Sequence, residues 1–148
     1  MYTIRSAGVC AARMSAPRIL IVDDDKAVRT VLERQLTTRG CDVVCAETCS
    51  EAIHVAQEQK LDLLVIDVRL DADPLETIRD GFVLVGWLRR MLPDPSFRVI
   101  IHTKDRSPEV DARAEAEGNT EVFRKGDGVQ NLVDLVQRTL EDPSQTPN

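Results

Sequence analysis

Three short, largely apolar runs and one more polar stretch in this chain each give way to residues able to do chemistry. Arg18-Ile19-Leu20-Ile21-Val22 leads into Asp23-Asp24-Asp25, the run from Leu61 ends on Asp67, Phe97 to His102 ends on Thr103, and Thr120 to Arg124 ends on Lys125. Carboxylates gathered in one place repel one another by about 4 kcal/mol per pair at 4 Å with an effective dielectric of 20. A hard divalent cation removes that cost, and oxygen ligands with retained waters suit Mg²⁺. A carboxylate held there can attack a phosphoryl group, because phosphoryl transfer asks chiefly for positioning and charge neutralisation. Lys125 offers the second positive charge and Thr103 a hydroxyl donor for a phosphoryl oxygen.

The elements that would bring these residues together can be read from hydrophobic period. Short continuous runs of Leu, Val and Ile bounded by polar residues suit strands covered on both faces, as in parallel sheets. Val28, Val31, Leu32 and Leu36 recur at helical spacing after Lys26, and Gly40 marks the stop. Val43 to Ala46 reads as a short strand, and Ser50 as the N-cap of a helix over 51–59. Gly81 opens a helix with Phe82, Val85, Leu88 and Leu92 inward, ended by Pro93 and Pro95. Pro108 to Glu117, stopped by Gly118, and the amphipathic series Val129, Leu132, Val133, Val136 and Leu140 are the last two helices. The sum is an α/β chain, five strands alternating with five helices in a doubly wound parallel sheet with right-handed crossovers. In such sheets ligands bind beyond the carboxyl ends of the strands, where the strand order reverses. The connection 68–80 exceeds the usual two to six residues of a strand-to-helix link, as functional loops often do.

Composition narrows the class. With 148 residues, 43% hydrophobic and 30% charged, the chain has one domain's worth of core, and no apolar run approaches the roughly 20 residues of a membrane span. A net charge of −6 and a single Trp and Tyr beside three Phe argue against a nucleic-acid surface, which needs a basic stripe or stacking platform. Cys10, Cys41, Cys45 and Cys49 lack the partners of a zinc set and read as reduced thiols packed as small hydrophobes, pointing to the cytoplasm. Residues 1–16 read as a disordered extension, 17–141 as the folded module and 142–148 as a disordered polar tail.

Acids after the first strand, an aspartate after the third, a hydroxyl after the fourth and a lysine after the fifth, in this chain order, resemble the receiver domain of bacterial two-component response regulators, over roughly Arg18 to Leu140. The resemblance implies a flavodoxin-like (βα)5 fold with strand order 2-1-3-4-5. It also implies Asp67 as phosphoacceptor, Asp23 and Asp24 as the acidic pair, Thr103 as switch hydroxyl and Lys125 as the family lysine. Arg29 and Asp80-Gly81 fit the family's look as well. The partners implied are a histidine kinase or histidine phosphotransfer protein, with output through the surface of the fourth helix, fifth strand and fifth helix. Departures stand at Val122, where an aromatic residue is usual, at Lys104, where a small one is, at Gly126 in place of proline, and at Leu70-Asp71 in place of Leu-Pro.

Within that arrangement Asp24 and Asp67 are expected as direct Mg²⁺ ligands, Asp23 directly or through water, with the backbone carbonyl of Arg69 completing the set. The expected function is that of a stand-alone receiver rather than an enzyme, switching protein interactions when Asp67 is phosphorylated, with no nucleic acid or membrane partner. Two readings compete with it: a haloacid-dehalogenase-like phosphatase using Asp23 and Asp25, and a receiver-like interaction module that is never phosphorylated. His54 reads as a surface residue and His102 as a packed strand residue.

Overall fold

The computed structural model describes residues 15–71 and 73–141. Cys10, the expected tail and all of the expected N-terminal extension but Ser15 and Ala16 lie outside them. The order of elements is β1 (Arg18–Val22), α1 (Lys26–Thr38), β2 (Asp42–Ala46), α2 (Cys49–Glu58), β3 (Leu63–Ile66), α3 (Gly81–Met91), β4 (Arg98–Thr103), α4 (Pro108–Glu117), β5 (Thr120–Arg124) and α5 (Val129–Glu141). Every strand pairing is parallel, in the order β2-β1-β3-β4-β5. The chain steps from β1 outward to β2 and then back across to β3, so the reversal of order falls between β1 and β3, the strands that lead to Asp23 and Asp67.

Alternation along the buried strands sends side chains to two separate cores. Leu20, Val22, Leu64, Ile66, Val99 and Ile101 meet α2, α3 and α4 on one face, and Ile19, Ile21, Leu63, Val65 and Ile100 meet α1 and α5 on the other. β3 is buried at every position, which is why its sequence shows a continuous apolar run rather than alternation.

Several local expectations are corrected. The N-cap of α2 is Thr48, not Ser50, and the helix runs from Cys49 to Glu58 rather than over 51–59. Thr48 accepts a hydrogen bond from the Glu51 N–H while the Glu51 carboxylate accepts from Thr48 N–H, a reciprocal capping box that frees Ser50 from the role. Leu92 is the C-cap of α3, and it packs half-buried against the same core as Phe82, Val85 and Leu88, as expected, whereas Val31 of the expected apolar stripe of α1 is 41% exposed. Cys45 and Cys49 are free thiols, as expected. Cys41 and Cys45 pack toward the α1/α5 face and Cys49 toward the other, so the sheet divides them.

Candidate functional site

Backbone pairing just past the strand ends does the gathering. Asp67 N–H donates to Val22 O at 3.1 Å, Asp23 N–H to Ala46 O at 3.2 Å, and Lys125 N–H to Thr103 O at 2.8 Å. Asp67 is thus fixed alongside the residue that precedes Asp23, and Lys125 alongside Thr103. The side chains then close on one another: Lys125 Nζ donates to Asp67 Oδ2 at 2.7 Å and lies 2.8 Å from Asp23 Oδ2. Asp23 is 1% exposed and Asp67 9%, so these ions meet where water screens them little.

Asp23 is held from several sides. Its Oδ1 accepts the Asp25 N–H at 2.9 Å, and its carbonyl accepts from the Arg29 guanidinium at 2.9 Å, which gives Arg29 a structural part at the site. Asp25 is engaged elsewhere: its carboxylate caps α1 by accepting from Ala27 N–H at 2.9 Å. Asp24 is half-buried, and its Oδ2 accepts the backbone N–H of Asp71 at 3.2 Å.

Carboxylate oxygens of Asp23, Asp24 and Asp67, one from each, lie within 4.8 Å of one another. Asp23 Oδ2 touches the Lys125 ammonium yet completes no hydrogen bond in its buried position. A buried anionic oxygen without that satisfaction, in an all-oxygen set, fits a small hard cation. Burial pushes the Asp23 carboxyl above the usual range, against the lowering effects of Lys125 and the Asp25 N–H. For Lys125, burial pulls the ammonium down, but the two carboxylates outweigh it and hold its pKa above the ordinary value, so it stays charged.

Thr103 is 3% exposed at the end of β4, where its Oγ1 accepts the Asp105 N–H at 3.1 Å. A hydroxyl that accepts in this way keeps its own proton available to donate. Arg69 opens the loop beyond Asp67 with its side chain exposed and pairs in antiparallel fashion with Asp80. Leu70 N–H to Arg79 O at 3.0 Å and Gly81 N–H to Val68 O at 2.7 Å close the loop's base. Asp80 is the N-cap of α3, its Oδ1 accepting from Phe82 N–H and Val83 N–H. A Cβ at Gly81 would lie 2.1 Å from the Asp67 carbonyl oxygen, so only glycine permits this approach of α3 to the strand end.

The departures have visible consequences. Gly126 has φ +100°, a conformation proline cannot adopt. Val122 packs toward the α4 face of the sheet and Phe123 toward the α5 face, where its ring meets His102 at 6.1 Å between centroids. Lys104 is exposed beside Thr103, and His54 is exposed on α2, as expected. Sequence reasoning gave no part to the Asp71 and Asp105 amides. The loss of the usual proline at position 71 was the one signal for the first.

The family described as response regulator receiver domain matches residues 19–137. The chain belongs to that family. Phosphoryl acceptance is the general function of these two-component receiver domains. Among curated relatives, the DNA-binding transcriptional regulator NtrC of Azospirillum brasilense is 29% identical over 90% of the chain and 26% of its own length. The transcriptional regulatory protein AfsQ1 of Streptomyces coelicolor is 36% identical over 50% of the chain and 30% of its own length. The chain spans about a quarter to a third of the length of these relatives. Among solved structures, the chemotaxis response regulator CheY4 of Vibrio cholerae superposes with a TM-score of 0.73 at 25% identity, covering 84% of this chain and 99% of that one. A CheY-like receiver domain protein from Methanospirillum hungatei shares the fold at TM-score 0.75 and 24% identity, over 86% of this chain and 95% of its own. Among the described residues no helix is long and apolar enough to cross a membrane.

Proposed function

We propose that this receiver accepts a phosphoryl group on Asp67 from the phosphohistidine of a histidine kinase or phosphotransfer protein, and that the aspartyl phosphate switches its protein interactions. The observation that carries the reading is the meeting of Asp67, Asp23 and Lys125, with Nζ 2.7 and 2.8 Å from the two carboxylates and Asp24 completing the acidic set. In this scheme Asp23, Asp24, Asp67 and the carbonyl of Arg69 would hold Mg²⁺, which when bound neutralises charge on the acids and on the transferred group.

The chain's own residues do the rest. An Asp67 carboxylate oxygen forms the new O–P bond as the donor's N–P bond breaks, and the electron pair of that bond stays on the histidine nitrogen. Lys125, already on Asp67, follows the negative charge to a phosphoryl oxygen, and Thr103 donates its free hydroxyl proton to another. Phosphorylation adds a charge of about −1.5 to −2. Lys125 follows directly on β5 and Thr103 ends β4, so their movement is felt by α4, β5 and α5, the proposed output surface. Inverting a 1:99 equilibrium there takes about 5.5 kcal/mol. The partners of this scheme imply a cytoplasmic chain, with which free Cys45 and Cys49 agree.

The test is incubation with Mg²⁺ and a small acyl-phosphate donor, followed by search for an acid-stable, base-labile adduct. It is expected on Asp67 and lost in Asp67→Asn. Label on Asp23 would instead favour phosphatase chemistry, against which stands the use of Asp25 as a helix cap. No label at all would favour an interaction module that is never phosphorylated.

A further inference from the structure

We propose that the backbone N–H of Asp71 is a positioning group for the cation site, holding the Asp24 carboxylate by one oxygen so that loop 68–80 and the cation are bound as one unit. The inference rests on the cation reading above and adds to it a residue whose side chain is not needed.

Asp23 and Asp24 are neighbours in sequence but are held very differently. Asp23 is fixed by the Asp25 amide, by Lys125 and, through its carbonyl, by Arg29. Among the described residues, the Asp24 carboxylate has a single hydrogen bond, from Asp71 N–H to Oδ2 at 3.2 Å. A half-buried carboxylate with one tether owes its orientation to that tether. A proline at position 71, as is common in the family, has no N–H to give.

The tether is useful only if its far end is fixed, and it is. The loop's base is closed by the Arg69–Asp80 pairing and by Leu70 N–H to Arg79 O. Asp73 Oδ1 accepts the Leu75 N–H at 2.9 Å in a local turn, and Glu76 Oε1 accepts the Ser50 N–H at 2.9 Å at the start of α2. Ile78 packs against the α2/α3 core. The loop is therefore a strap between the acidic cluster and α2, which accounts for its length better than a free flap would.

A carboxylate has two oxygens, so Asp24 can accept the amide through one and ligate a cation through the other. The amide and the cation then support each other. By linkage the loop raises cation affinity by the same factor as the cation stabilises the docked loop.

The test uses the full chain and Mg²⁺ alone, by calorimetric titration of wild type, Asp71→Asn and Asp71→Pro. Asp71→Pro, which lacks the N–H, is expected to bind about fivefold more weakly, while Asp71→Asn stays within about twofold of wild type. Equal affinity in wild type and Asp71→Pro overturns the inference, as does an equal loss in both variants, which would assign the effect to charge. Because proline can disturb the loop by itself, amide exchange at Asp71 in the unsubstituted chain is the second measurement. Exchange is expected to slow several-fold on adding Mg²⁺; exchange indifferent to Mg²⁺ overturns the proposal. Failure of wild type to bind Mg²⁺ at all would remove the cation reading itself, whereas binding that ignores Asp71→Pro removes only this inference.

Discussion

Helices α3 and α4 lie side by side on one face of the sheet and are held there by different forces. α3 is capped by Asp80 and buries Gly81, Phe82, Leu84, Val85 and Leu88. α4 has no side-chain cap at Ser107 and buries only Val110 and Ala114. What α4 lacks in apolar area is made up with charge. Arg113 forks onto Asp80 at 3.0 and 3.1 Å with its guanidinium 4.4 Å above the Phe82 ring, Arg89 meets Glu117 at 3.2 Å, and Arg124 grips Asp111 at 3.0 and 3.1 Å. Two of these anchors adjoin the site: Asp80 ends the loop that follows Asp67, and Arg124 precedes Lys125. Burial fixes an element in one place, whereas partly exposed ion pairs hold it weakly and respond to charge, so α4 is the less firmly held of the two helices.

The largest contrast should come from cavity formation. Leu88→Ala in α3 is expected to cost about 3 kcal/mol in urea unfolding, and Val110→Ala in α4 about 1 kcal/mol. Equal losses would break the comparison.

Acid should separate the two kinds of support. His102 is 7% exposed, and burial, with the charge of Lys125, lowers its pKa from 6.5 to about 4. The unfolded chain therefore binds the proton first, so stability is full above pH 6.5 and falls as pH drops from there toward 4. Between pH 7 and 5 the loss is expected to be up to about 2 kcal/mol, and His102→Leu should flatten it. The hydrogen bond from Arg124 holds the Asp111 carboxyl below its usual 3.8, so its contribution is present above that value and goes only as pH falls through the lower folded one. Amide protection in α4, taken relative to the intrinsic exchange rate at each pH, should thus be steady from pH 7 to 5 while global stability declines; α4 opening in that interval would show that charge is not its anchor.

The smallest effect sharpens the contrast most. Arg113→Ala removes an exposed fork and a ring contact, for an expected loss of about 1 kcal/mol. Exchange should rise in α4 and not in α3, and 1 M salt, with a screening length of about 3 Å, should act on wild type in the same direction. A uniform rise across both helices would mean that Arg113 supports the whole core instead.

These differences were unequally visible in the sequence. The poor apolar stripe of Pro108–Glu117 is plain in residue order, but nothing in that order tells Arg113 to reach Asp80 or Arg124 to reach Asp111. Thr48-Cys49-Ser50-Glu51 carried the true cap of α2, and the nearer serine was the wrong choice because only Thr48 stands three residues before a glutamate.

What residue order determined by itself was local and periodic: buried strands from unbroken apolar runs, helices from their stripes, and acids, hydroxyl and lysine placed at strand ends. The strand order came from resemblance and not from these patterns. Tertiary structure alone decided which ends adjoin, that Lys125 lies between Asp67 and Asp23, that Asp71 lends its amide to Asp24, and that Glu76 closes on Ser50. The reason is physical. Burial and period follow from side-chain type, but a hydrogen bond between residues 47 apart depends on where two backbones are brought by everything folded between them.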